Sequence, residues 1–230
     1  KGLLHYIVRD FDMAQGRDVV FVPVALNYDR VLEDRVLIKA GQDGVRRFKV
    51  RMSVALGFAA RILWQKARGT FRHFGYAAVC YGKPVSLREF LETESDASTE
   101  ALADLLMHRI RAAVPVLPVP LTAAVLAQAG GTLAQSALVE NGVALAEALR
   151  LKGAHQHLTD GDAATAVAEG LEALTLRGII TQSDGLVQIV PGQEGALGFY
   201  AASVLQRLSE ADMPPRSLEE ALQLPEAGET

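Results

Sequence analysis

Asp18-Val-Val-Phe-Val-Pro-Val-Ala-Leu-Asn-Tyr-Asp-Arg-Val-Leu-Glu-Asp34 is the stretch whose reading decides the fold. Residues 19–26 form a short apolar run of the length of a buried strand. Pro23 sits inside it and cannot donate to a sheet ladder. The run then empties into a polar cluster of Asn27, Tyr28, Asp29 and Arg30. Two readings are open from the residues alone: a core strand with an edge proline, or a strand that delivers its end to a site.

The chain has 230 residues, half of them hydrophobic, which is enough for one large domain or slightly more. It starts at Lys1 with a helical pattern already running at Gly2, so a natural beginning upstream is expected, and no signal peptide is evident. A lone Cys80 permits no internal disulfide and fits a reducing compartment.

The formal charge of −4 hides an asymmetry. Residues 44–88 contain no Asp or Glu but ten bases: Arg46, Arg47, Lys49, Arg51, Arg61, Lys66, Arg68, Arg72, Lys83 and Arg88. The other residues therefore sum to −14 against the −4 of the whole. With Phe48, Phe58, Trp64, Phe71, Phe74, Tyr76 and Tyr81 interleaved, the block predicts an anionic partner or a face neutralised by acidic segments of the same chain.

Working outward, the periodicity predicts a helix end at 2–11 with Leu3, Leu4, Ile7 and Val8 as its apolar stripe. A turn is predicted at 42–44 and a helix over 52–70, where Arg61, Gln65, Arg68 and Arg72 share one face. A strand is predicted at 75–81, and Ser86-Leu-Arg-Glu89 has capping-box spacing for a short helix to Leu91. The acidic, polar run 92–98 reads as a linker. Beyond it the chain is mostly helical: 102–111, a proline-rich entry to a buried helix at 121–129, a helix continuing to Leu151, then 162–176 and 197–208. Segments 179–181 and 186–190 flank Ser183-Asp-Gly185 as a hairpin. The uncharged run 112–139 has the length of a membrane span, but Pro115, Pro118, Pro120 and Gly130-Gly131 argue against one. The tail from 210 is acidic and loosely held.

Three constellations invite chemical readings. His5 and Asp10 match H-x-x-x-x-D, a general base with its orienting carboxylate. Five positions apart on a helix they are about 140° apart and do not meet, so the match is coincidental. His155-Gln-His157 with Asp160 has the start of a metal-ligand set, but its carboxylate falls one position late and no second cluster exists, so no metal is expected. Residues 163–190 are compatible with a winged-helix module. The predicted hairpin has no Lys or Arg and the helix carries Glu169 and Glu172, so nucleic acid is not an expected partner.

The stretch Val20-Phe-Val-Pro-Val-Ala-Leu-Asn-Tyr-Asp-Arg-Val-Leu-Glu33 closely resembles the fourth conserved block of the glycerol-3-phosphate acyltransferases and their dihydroxyacetone-phosphate relatives. Residues 1–4 are similar to the segment after that family's third block. Phe74 to Leu91, with Gly82-Lys-Pro-Val-Ser-Leu87, is similar to its G-x-P-[IV]-S-L region. Val114-Pro-Val-Leu-Pro-Val-Pro-Leu-Thr-Ala-Ala-Val-Leu126 and Leu197-Gly-Phe-Tyr-Ala-Ala-Ser203 resemble pieces of its helical C-terminal region, all in colinear order.

The resemblance implies an α/β fold class: 1–92 as the C-terminal part of an acyltransferase α/β domain, a linker at 93–98, a mostly helical domain with a small hairpin at 99–209, and an acidic tail at 210–230. It implies transfer of an acyl group from acyl-CoA or acyl-carrier protein, as co-substrate rather than cofactor, to glycerol 3-phosphate. Dihydroxyacetone phosphate or lysophosphatidate is the alternative acceptor, and a non-catalytic membrane- or protein-binding module is the alternative for the isolated piece. The family's catalytic His/Asp pair lies upstream of residue 1, so this chain alone is expected to be inactive. Val22, Pro23 and Val24 are the expected substrate wall, with Asn27, Tyr28 and Arg30 beside them. The basic stretch 44–88 is expected to face donor phosphates or anionic lipid, at the cytoplasmic face of the cell membrane.

Overall fold

The computed structural model describes residues 2–14, 16–31, 34, 38, 75–93 and 98–209. The predicted turn at 42–44, the helix over 52–70 with its basic ridge, most of the linker and the acidic tail lie outside them.

The decisive stretch forms two short strands, β1 (Val20–Phe21) and β2 (Val24–Tyr28). The break falls at Val22-Pro23, because proline has no N–H for the ladder. The returning limb is β3 (Ala77–Tyr81) and β4 (Val85–Ser86). β1 pairs with β4 and β2 with β3, both antiparallel. At the interruption Gly82 N–H donates to Pro23 O at 2.8 Å. A Cβ on Gly82 would lie 3.1 Å from both Pro23 Cβ and Arg109 O, so the close crossing favours glycine.

Helix α1 (Gly2–Arg9) precedes this ribbon and α2 (Leu87–Thr93) leaves it. Ser86 Oγ accepts the Glu89 N–H at 3.0 Å, the bond its capping-box spacing predicts. Helix α3 (Thr99–Ala113) follows, capped by Ser98. Its Leu102 joins Val85, Leu87 and Phe90 in a small core, against which Leu4, Ile7 and Val8 of α1 pack.

The larger core surrounds α4 (Pro118–Gln128), nine of whose eleven residues are buried. A helix apolar on every side needs cover on every side. α5 (Gln135–Leu151), α6 (Ala163–Leu176) and α7 (Glu194–Ser209) supply it. The approach of α4 and α6 is set by Gly170, whose Cβ would fall 2.2 Å from Thr122 Oγ1 and 2.5 Å from Pro118 O.

Strands β5 (Thr132–Ala134), β6 (Ile180–Ser183) and β7 (Leu186–Ile189) make an antiparallel sheet in the order β5-β7-β6. The hairpin turns on Asp184 and Gly185, both with positive φ, as a tight two-residue loop requires. Taken in order, α4, β5, α5, α6, β6 and β7 have the connectivity of a winged helix. The hairpin is where its turn residues predict it, whereas β5 carries no local strand signal: its partner strand is 54 residues further on. No described helix is long and apolar enough to cross a membrane: the uncharged run 112–139 resolves into the end of α3, then α4, β5 and the start of α5. The described residues thus mix helices with small antiparallel sheets, within the expected α/β class.

Candidate functional site

Strand alternation puts Val20, Val22, Val24, Leu26 and Tyr28 on one side of the ribbon. The register places Val24 opposite Tyr81, Leu26 opposite Val79 and Tyr28 opposite Ala77. Val20, Val22, Val24, Leu26, Tyr28, Val79 and Tyr81 are 42–69% exposed. Among the described residues nothing packs over these seven large apolar side chains, which share one side of the ribbon and form a patch of the kind that marks an interaction surface. Strands apolar on both faces are the pattern of sheets covered on both sides.

Pro23 faces the other way and is buried. So the predicted wall residues divide: Val22 and Val24 stand on the open face, and Pro23 holds the backbone between them where pairing stops. Tyr28 is on the open face, and Arg30 is exposed just beyond the strand.

The opposite side of β2 and the residues after it turn to the helices. Asn27 Nδ2 donates to Pro115 O at 2.8 Å and to Ser203 Oγ at 3.1 Å. Asn27 is therefore occupied by the α3–α4 connection and α7, away from the open face. Asp29 is buried, and its carboxylate accepts N–H bonds from Val119 at 2.8 Å and Tyr76 at 2.9 Å. Burial pushes its carboxyl above the ordinary range; the two N–H bonds pull against that, Glu169 adds to the rise and His157 opposes it. Asp34, also buried, accepts from Tyr200 Oη at 2.8 Å and pairs with Arg177. The Arg177 guanidinium lies 4.8 Å from the Tyr200 ring centre, and Tyr200 Oη accepts the Val31 N–H at 3.2 Å. A buried ion pair is tolerable only with such extra partners.

A second polar line runs beside this one. Tyr76 Oη bonds Thr159 Oγ1 at 3.2 Å, and Thr159 in turn bonds Glu169. The rings of Tyr76 and His157 meet edge to face at 4.8 Å. Of these residues only His157 stands in a sequence constellation, the incomplete metal-ligand set; the sequence does not single out Tyr76, Thr159 or Glu169 as a site. Tyr76 meets Asp29 and Thr159 across 47 and 83 positions of chain, distances at which no local pattern speaks.

The remaining candidates are placed as follows. Asp10 is held by Arg9 at 2.7 Å, which keeps its carboxyl below the ordinary range, while His5 Nδ1 lies 3.4 Å from Thr99 Oγ1. Gln156 donates to Ala146 O, between His155 and His157. Among the described residues no group of three or more His, Cys, Asp or Glu could hold a metal ion. Within the winged helix, α6 and the hairpin carry no Lys or Arg, and Arg177 between them is turned inward to Asp34.

Residues 62–207, more than half of the chain, match the family model described as the glycerol-3-phosphate acyltransferase C-terminal region. Glycerol-3-phosphate acyltransferase 1, mitochondrial, of Homo sapiens is 28% identical over 121 residues, covering 51% of this chain and 13% of that protein. The glycerol-3-phosphate acyltransferase of Pseudomonas putida (strain GB-1) is 26% identical over 233 residues, covering 89% of this chain and 26% of the relative. That of Ectopseudomonas mendocina (strain ymp) is 27% identical over 216 residues, covering 82% and 24%. The chain thus spans between 13% and 26% of the length of these relatives. With its core helices inside the matched region, the chain belongs to the glycerol-3-phosphate acyltransferase family, C-terminal region.

Proposed function

We propose that this chain is part of an enzyme that transfers an acyl group from acyl-CoA or acyl-carrier protein to glycerol 3-phosphate in phospholipid biosynthesis. The observation that carries the reading is the open apolar face of β1–β2 and β3, with Pro23 at its break, in a chain of this family. On this reading residues 1–92 end an acyltransferase α/β domain, 93–98 link it to a helical domain at 99–209, and 210–230 are an acidic tail.

Val22, Val24 and Tyr28 form one wall of the acyl-transfer site, and Pro23 fixes the backbone beneath them. Apolar side chains there shed water from the reacting thioester and seat the methylenes of the acyl chain, each worth about 0.8 kcal/mol when buried. Arg30, just beyond β2, is the side chain this reading assigns to a phosphate charge. A histidine general base with its carboxylate partner is supplied by a part of the enzyme other than His5 and Asp10. The basic stretch 44–88 holds the enzyme peripherally at the cytoplasmic face of the membrane, at about 1 kcal/mol per basic side chain near anionic lipid.

The test is acceptor competition in the longer enzyme. Purified enzyme with radiolabelled glycerol 3-phosphate and an acyl donor should form lysophosphatidate. Faster acylation of dihydroxyacetone phosphate or lysophosphatidate would replace this acceptor assignment with another.

A further inference from the structure

Helix α4 begins without a cap of its own. Leu117 at the N-cap position offers no side-chain acceptor. Pro118 and Pro120 have no N–H to satisfy, and Leu121 N–H is already bonded to Leu117 O. In that first turn the N–H of Val119 is left, and it donates to Asp29 Oδ1 from 90 positions away.

The other oxygen of the same carboxylate takes the N–H of Tyr76, the residue that leads into β3. Asp29 N–H also donates to Tyr76 O at 2.9 Å, continuing the β2–β3 ladder. One side chain therefore touches the end of β2, the start of β3 and the start of α4. The space for it is built in: Gly75 has φ +84°, and a Cβ there would lie 2.5 Å from Asp29 Cβ. The negative charge faces the positive end of the α4 dipole. Glu169 of α6 and His157, before α6, are the titratable neighbours that act on it from the helical side.

Such a group is costly to bury unless its partners are held in place. A local Ser or Asp at position 117 would cap α4 without burying a distant carboxylate. We propose that Asp29 is a positioning residue: by capping α4 from the end of β2, it fixes the apolar wall of the ribbon to the winged-helix module so that the two move as one body. Asn27 on Pro115, in the connection that enters α4, and Asp34 on Arg177, at the end of α6, hold the chain on either side of it. The joint stands on this geometry alone. Its consequence for acyl transfer, correct placement of Val22 and Val24, rests on the function proposed above.

Amide hydrogen exchange on the purified chain tests the joint without any activity assay. In Asp29→Ala, amides of 24–28 and 77–81 should exchange faster together with those of Val119, Leu121 and Thr122, by about fivefold, the loss of one cap. Exchange in 102–110 and 180–189 should stay as in the wild type. Asp29→Asn keeps one acceptor oxygen and should give a smaller rise on both sides. Asp162→Ala removes the N-cap of α6, whose carboxylate accepts from Ala164 and Thr165, and should loosen 164–166 while leaving the ribbon unchanged. Should Asp29→Ala fail to fold, Asp29→Asn and Gly75→Ala carry the same comparison. Loosening of α4 with an unchanged ribbon, or equal ribbon loosening in Asp162→Ala, would overturn the proposal.

Discussion

Replacing Gly170 with alanine should destabilise the chain, although a helix normally welcomes that change. Gly170 lies inside α6, where alanine is favoured over glycine by about 1 kcal/mol. Here the new methyl would sit 2.2 Å from Thr122 Oγ1, 2.5 Å from Pro118 O and 2.9 Å from Thr122 Cβ. Neither neighbour can yield cheaply. Pro118 O is backbone, and Thr122 is fully buried with its hydroxyl bonded to Pro118 O at 2.9 Å. The helices must separate, at about 1–3 kcal/mol for overpacking and about 1 kcal/mol for the strained buried hydrogen bond. After the propensity gain the net loss is about 1–3 kcal/mol. Urea unfolding followed by far-ultraviolet circular dichroism should show a lower midpoint at unchanged slope. Gly198→Ala is the control: its Cβ meets nothing within 4 Å on the exposed side of α7, so about 0.5–1 kcal/mol should be gained. If Gly170→Ala is as stable as the wild type, or Gly198→Ala loses as much, the packing account of α4 and α6 is refuted.

Asp29 supplies a pH signature. Its carboxyl is held above the ordinary range chiefly by burial, so between its unfolded and folded values the folded chain keeps the extra proton. Its contribution to stability is full below the unfolded value and is lost as pH rises through the folded one. Asp29→Asn does not titrate, so the stability of wild type relative to that variant should fall as pH is raised from about 4 towards neutrality; a relative stability that climbs over that range would contradict the burial argument. The chain by itself should form no lysophosphatidate from glycerol 3-phosphate and acyl-CoA. Turnover that His5→Ala abolishes would make that histidine catalytic.

Local chemistry made much of the fold legible. Ser86 and Glu89 carry their capping bond in the spacing itself, Asp184-Gly185 announces the hairpin, and Pro23 announces the break between β1 and β2. What escaped depends on partners far along the chain. Three residues of β5 are strand only because β7 pairs with them, and next to Gly130-Gly131 they read as an interruption between helices. Asp29 was visible as a motif residue, but its role was not, because Val119 and Tyr76 lie 90 and 47 positions on. The missing cap at Leu117 was the available signal: a helix opening Pro118-Val-Pro120 with no polar residue before it must find its acceptor elsewhere. That Val22 and Val24 share a face interrupted at Pro23 was legible from strand alternation. That Asn27 turns away from it was not, since strand alternation assigns faces only once the break at Pro23 and the side taken by the helices are known.

The central claim is that the open face of β2 is a wall of the acyl-transfer site. The most direct measurement is steady-state acylation of glycerol 3-phosphate by the longer enzyme carrying Val24→Glu. Val24 is exposed, so the change should leave folding intact, with surface substitutions costing within about 0.5 kcal/mol. A charge on the wall should lower kcat/KM by about tenfold or more, the equivalent of at least 1.4 kcal/mol of lost transition-state binding. Unaltered kcat/KM in a folded Val24→Glu enzyme would contradict the account.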